Sequence, residues 1–223
     1  GRKRCEVEPH IVVKQTARWQ RNRMMGALVD QFRVADRHPA RRLHRAVAAE
    51  ADVPLSATTY YFKDINDLIT DTFALFVERS AEAMSAFWVG ADQQLQQLQV
   101  GLQSGPDTRV QVLEQLVEVA IAYVQAQLTQ HRERLLAEQA FRLEALLNPG
   151  LLGLAAAHRK ILVQGVDKFF QVLGSPQPEA DAKVLTGMIL QMEYQGLLDG
   201  VDHLNLDEMR SILRRYLRLV MGL

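Results

Sequence analysis

From Arg21 to the end of the chain, apolar residues recur every three or four positions and hardly ever alternate, a period that builds helices and not strands. Met24, Leu28, Phe32 and Ala35 make one stripe, with Met25 and Val29 beside it. Arg37-His38-Pro39 ends that helix, because proline disfavours helical geometry in the residue before it. A short helix is predicted from Arg42 to about Ala51, with Leu43, Ala46, Val47 and Glu50 on one face. Asp52-Val53-Pro54 then turns the chain, and Pro54 opens a third helix, Leu55 to Phe62, where its missing N–H costs nothing. Asp64 is expected to cap a long fourth helix, with Asp67 as the capping-box acid and Ile65, Leu68, Ile69, Thr72, Phe73 and Phe76 on the inner face. That helix is expected to end near Trp88, and the glutamine- and glycine-rich stretch from Gly90 to Asp107 to form a loop or frayed helix. Four or five further helices account for the rest, over about 108–129, 131–147, 151–173, 180–200 and 207–221. The expected architecture is all-α: a three-helix head at residues 19–66, preceded by a flexible basic tail at 1–18, and a larger helical body at 67–223.

The bulk properties narrow the class. A hydrophobic share of 48% with 23% charged residues suits a folded globular protein rather than a disordered one. The single cysteine, Cys5, excludes an intrachain disulfide and fits a reducing cytoplasm. No apolar stretch has the length of a signal peptide or a membrane span, so no membrane partner is expected and the chain is placed in the cytoplasm, at the nucleoid. Net charge is formally zero, but the average hides a split: residues up to Lys63 carry +7 and the remainder −7. One end is suited to a polyanion and the other is not.

Residues 42–62 read as a helix, a tight turn and a second short helix, the layout in which the second helix enters the major groove. With Val53, Thr58, Tyr60 and Phe62 toward the head's core, Leu55, Ser56, Ala57, Thr59 and Tyr61 face outward. Small, hydroxyl-bearing and aromatic side chains suit base edges, thymine methyls and phosphates. Lys63, just past the helix, and Arg41, Arg42, His44 and Arg45, near the start of the preceding one, are in place for phosphates. Arg2, Lys3, Arg4, Lys14, Arg18 and Arg21 either track a minor groove or add nonspecific affinity as a loose terminus.

The run from Ala46 through Pro54, Tyr60, Tyr61, Phe62, Lys63 and Asp64 to Asp67-Leu68-Ile69 resembles the signature of the TetR family, densely over Arg21 to Ile69. The resemblance implies a bacterial transcription regulator, commonly a repressor, that binds operator DNA as a homodimer and responds to a small molecule. It implies that Ser56, Ala57, Thr59 and Tyr61 face the groove, that Tyr60 and Phe62 mainly pack, with Tyr60 still counted among the expected DNA contacts, and that the body binds the ligand and dimerises. The chain also departs from the pattern. Asp52 stands at the usual turn glycine, Ile65 at a common lysine, and Leu55 at a more polar position.

In the body, Leu185, Ile189, Met192 and Gly196 form one stripe, and Met209, Ile212, Leu213, Tyr216, Leu217 and Val220 another. Two such helices per chain suit a symmetric four-helix interface, so Leu185, Ile189, Met192, Gly196, Met209, Ile212, Leu213, Tyr216 and Val220 are the expected dimer contacts. An effector pocket is expected among Trp88, Tyr123, Phe141, Glu144 and Phe169, with Phe87, Arg142 and Phe170 nearby. No paired catalytic carboxylates, nucleophile elbow, phosphate loop or metal-ligand spacing stands in the sequence, so neither catalysis, metal nor cofactor is expected. The competing reading is a helical protein-interaction or nonspecific DNA-binding module without a ligand response.

Overall fold

Helix ends in the body fall where the breakers stand. In the computed structural model, which describes residues 45, 47–49, 52, 54–56, 60, 62–103 and 105–223, the first complete element is α1, Ile65–Gln103. It is followed by α2 (Pro106–Gln130), α3 (Arg132–Leu147), α4 (Leu152–Val172), α5 (Pro178–Asp199) and α6 (Leu206–Met221). Short 3-10 turns, Pro149–Leu151 and Val201–His203, join α3 to α4 and α5 to α6. No strand occurs among the described residues, and none of their helices is long and apolar enough to cross a membrane. The fold is all-α, as the helical period requires.

The chain divides into two compact units, Gly1–Phe76 and Val77–Leu223, with the division inside α1. In the first unit, Arg45 and residues 47–49 are helical, and Asp52 follows with φ 52. Its N–H donates to the Ala49 carbonyl at 3.2 Å, closing the turn. Aspartate tolerates this left-handed conformation better than most residues, which is why it can stand where the family pattern has glycine. Phe62 is buried, and so are Val47, Ala48, Leu68, Ile69, Phe73 and Phe76. Asp64 accepts from the Asp67 N–H at 3.0 Å, capping α1 as expected, while Asp67 accepts from the Lys63 N–H at 3.1 Å, one residue further back than a capping box requires.

The expected end of this helix near Trp88 is overturned: α1 continues for 39 residues, through the stretch expected to be a loop. Glutamine, leucine and alanine are good helix formers, and no proline interrupts them before Pro106. The actual break comes where Gly105 takes φ 127 and Pro106 occupies the first turn of α2. The later boundaries lie within about two residues of those expected.

In the second unit, α2 supplies the centre of the core. Val117, Ile121, Val124 and Leu128 are buried along it, against Phe170 of α4, Ala182 and Met192 of α5, and Met209, Leu213 and Leu217 of α6. Burying each such side chain contributes roughly 1.5–3 kcal/mol, so this cluster dominates the unit's stability. At the rim, Arg210 and Arg214 of α6 make two-pronged pairs with Glu118 and Glu114 of α2, all at 2.8–3.2 Å. Exposed pairs of this kind are worth about 0–1 kcal/mol each and chiefly fix the register of α6 on α2.

This packing bears on the residues expected to pair two chains. Met192, Gly196, Met209 and Leu213 are buried within a single chain. A Cβ on Gly196 would stand 2.3 Å from a methyl carbon of Leu128, so the glycine serves the approach of α2 to α5. Leu185, Ile189, Tyr216 and Val220 are half-buried against the same core, and the Tyr216 hydroxyl donates to the Asp181 carbonyl of its own chain at 2.8 Å. Of the nine residues, Ile212 alone is markedly exposed, at 45%. The strongest apolar stripe of an amphipathic helix goes to the monomer's own core first, which leaves the outward face more mixed.

Candidate functional site

Three regions are candidates: the head's turn, a polar cluster inside the body, and the outward face of α5 and α6.

In the head, Leu55 and Ser56 are helical and exposed, as is Tyr60, and Lys63 and Arg45 are exposed as well. Phe62 packs inward as expected, but Tyr60 does not: its side chain is 82% exposed. Phe62 is no longer helical, so its side chain need not share a face with Tyr60. Tyr60 therefore joins the exposed row instead of the packed one. Arg41, Arg42, His44, Ala57, Thr59 and Tyr61 lie outside the described residues.

In the body, five aromatic or acidic positions were expected to line a pocket. Trp88 and Tyr123 come together through Phe87, whose ring stands 5.1 Å from Trp88 and 6.0 Å from Tyr123, edge to face in both pairs. The Trp88 indole lies over Gly165 of α4, where a Cβ would meet Nε1 at 1.6 Å, so only glycine admits the ring. Phe141 is sealed in the core, and Phe169 belongs to another aromatic run with Phe170 and Tyr216, at 5.2 and 6.2 Å. Glu144 is half-exposed, and its backbone carbonyl accepts the Asn148 N–H that ends α3.

Sequence reasoning missed a set of buried polar side chains beside these aromatics: Gln127 of α2, Glu138 of α3, His158 of α4 and Glu193 of α5. Arg134 donates to the Gln127 side-chain oxygen. Burial pushes the Glu193 carboxyl up to about 8, with the charge of Glu138 adding to the shift and Arg134 and Arg142 opposing it. Burial likewise raises Glu138, against the pull of Arg142 and Arg134. His158 is pushed down to about 4 by burial and by the same two arginines, and Tyr123 up to about 12 by burial and by Glu193. At neutral pH the imidazole and the phenol are therefore uncharged, and Glu193 largely holds its proton. The signal was available: Glu138 follows Leu135 and precedes Phe141 at helical spacing, so a carboxylate stands in core register.

These shifts have a measurable result. Between roughly pH 5 and 8 the folded chain keeps a proton on Glu193 that the unfolded chain has released. The stability associated with that proton is present at the acid end and is lost as pH rises through about 8. His158 acts in the opposite sense, contributing stability above about 6.5 that is lost as pH falls toward 4. Because His158 is the same in both chains, the difference between wild type and E193Q isolates the acid. Urea denaturation should show E193Q gaining on wild type by a few kcal/mol from the acid to the alkaline end. Parallel pH profiles would mean that Glu193 is solvated.

On the outward face of α5 and α6, Val184, Tyr194, Leu198, Ile212 and Leu219 are exposed apolar side chains. A groove of about 410 Å³ runs between the two helices, lined by Val184, Gly187, Gln191, Gln195, Glu208 and Ile212 among others.

The body matches a known family: residues 111–221 fit the family described as Tetracyclin repressor-like, C-terminal domain. The chain is also similar to a solved structure from Rhodococcus sp. assigned to the TetR family of transcriptional regulators. The two share 20% identity, with a TM-score of 0.55 over 91% of this chain and 98% of that one, a likeness of fold. No curated protein sequence matches the chain.

Proposed function

The chain belongs to the TetR family of DNA-binding transcriptional regulators, and from that premise we propose that it is a repressor that grips operator DNA as a homodimer and lets go when a small molecule enters the helical body. The observation that carries the reading is the head's turn. Asp52 takes a left-handed conformation, Pro54 opens the next helix, and Leu55, Ser56, Tyr60 and Lys63 are exposed while Phe62 is buried. A short helix displayed in this way supports contact with a major groove by Leu55, Ser56, Ala57, Thr59, Tyr60 and Tyr61. Arg41, Arg42, His44, Arg45 and Lys63 are the proposed phosphate contacts, and the +7 balance up to Lys63 favours the same partner.

The test is fluorescence anisotropy with duplex fragments from the DNA flanking the gene, at two salt concentrations. One fragment should bind at least a hundredfold more tightly than the others, and its affinity should fall steeply with salt. Equal affinity for every fragment would reduce the protein to a nonspecific binder. Screening compounds for release of the bound fragment then tests the effector, whose action is a population shift toward a state with wrongly spaced heads.

Two heads are needed because each reads only a few base pairs, and a two-fold pair engages a palindrome with multiplied affinity. The pairing face proposed is the exposed side of α5 and α6, around Val184, Gly187, Leu198 and Ile212, a choice supported by the exposure of these residues in the single chain. A doubly substituted L198E/I212E chain should sediment as a monomer at micromolar concentration and keep its helical circular dichroism. Its operator affinity should drop by about a hundredfold or more. A variant that still sediments as a dimer would place the interface elsewhere.

A further inference from the structure

We infer that Glu138 and Glu193, with the adjoining Phe87, Trp88 and Tyr123, form a site for an effector that carries an aromatic ring and a protonated amine. The inference rests on the proposed ligand response and names its chemistry. Glu138 is only 7% exposed, and its Oε1 meets no donor. Buried acceptors in folded chains are almost always paired, so an orphaned carboxylate oxygen marks a place where a donor from outside belongs. The neighbouring cations do not fill it: Arg134 is engaged with Gln127, Arg142 is exposed, and neither donates to Oε1.

Glu193 of α5 is 3% exposed and lies within electrostatic reach of Glu138 of α3, so two helices bring two carboxyls to one buried place. Both carboxyls act on Tyr123, and Tyr123 touches Phe87, which is 44% exposed. The aromatic group thus runs from the exposed Phe87 to a phenol whose ionisation both acids influence. Trp88, edge to face with Phe87, also has a buried Nε1 without an acceptor. Aromatic faces beside carboxylates attract a cation twice, through the ring quadrupole and through charge. An anion would meet two acids in a medium that screens them poorly.

A bound ammonium draws Glu193 into its ionised form. The Glu193 O–H bond breaks, the proton leaves to solvent, and the carboxylate pairs with the ligand's N–H. Below about pH 8 the affinity should therefore rise about tenfold per pH unit.

Calorimetry on the full chain near neutral pH tests this with three probes of one frame: 2-phenylethylamine, 2-phenylethanol and 3-phenylpropanoate. The amine should bind at least tenfold more tightly than the alcohol and the carboxylate. Titrations in two buffers should report close to one released proton. E138Q and E193Q should each weaken the amine tenfold or more, and E193Q should also abolish proton release. Both should melt at or above the wild-type temperature, which separates loss of binding from loss of folding. In a W19F background Trp88 is the sole tryptophan, and its fluorescence should respond to the amine. No amine binding at millimolar concentration, equal binding of the three probes, or preference for the carboxylate overturns the inference. Amine binding without any change in operator affinity would uphold the site and defeat ligand-triggered release. Release by a compound of another charge, with the amine ignored, would do the reverse.

Discussion

Replacing Phe170 by alanine is expected to cost about 3–5 kcal/mol of unfolding free energy, a large share of what a domain of this size possesses. The ring is fully buried in α4, packed edge to face between Phe169 at 5.2 Å and Tyr216 at 6.2 Å. Tyr216 in turn holds the start of α5 through its bond to Asp181, so the ring sits where three helices meet. Its removal forfeits the transfer of an aromatic side chain and leaves a cavity that neighbouring helices close only in part. Urea denaturation should show a lower midpoint with an unchanged slope, and F170L, which keeps most of the volume, should lose less than about 1.5 kcal/mol. A loss below 1 kcal/mol for F170A would mean that the site collapses freely and that the cluster is looser than its burial implies.

The triple variant R41A/R42A/R45A should leave thermal stability nearly untouched and still abolish useful DNA binding. Arg45 is exposed, and charged side chains on a solvated face contribute within about 0.5 kcal/mol to folding. On DNA each arginine that neutralises a phosphate releases counterions, and a two-headed complex counts each one twice. The slope of log affinity against log salt should therefore fall by up to about 5, with a loss of a hundredfold or more near physiological salt. The loss should be nearly equal on the preferred fragment and on unrelated DNA, because phosphates carry no sequence. Replacing Ser56 or Tyr60 alone should instead narrow the gap between the two. If the triple variant keeps its salt slope, these arginines do not touch the backbone, and the head approaches DNA from another side.

Helix boundaries were legible because they depend on local chemistry. Pro106, Pro149, Pro178 and Gly200 stand at ends of elements, and Asn205 caps α6 by accepting from the Glu208 N–H at 3.1 Å. The one long misreading, the stretch 90–107, came from weighing glycine and glutamine as loop formers, when an exposed helix carries both without a proline to stop it. The head's turn was readable from Asp52 and Pro54, since few residues suit those two backbone positions. The packing role read for Tyr60 does not hold, because an aromatic in a short helix reads as core, while its exposure is compatible with its place among the expected DNA contacts.

Taken alone, the order of residues determined that this chain is helical, where its helices begin and end, and that its basic end is suited to a polyanion. Those properties follow from the backbone and charge of neighbours a few positions apart. Which face of α5 and α6 the monomer keeps for itself, and that Glu138, His158 and Glu193 from three helices share one buried neighbourhood, were decided only in three dimensions. A helix offers several half-apolar faces, and the choice among them depends on partners far along the chain. A carboxylate's desolvation likewise depends on what closes over it, which no local pattern records.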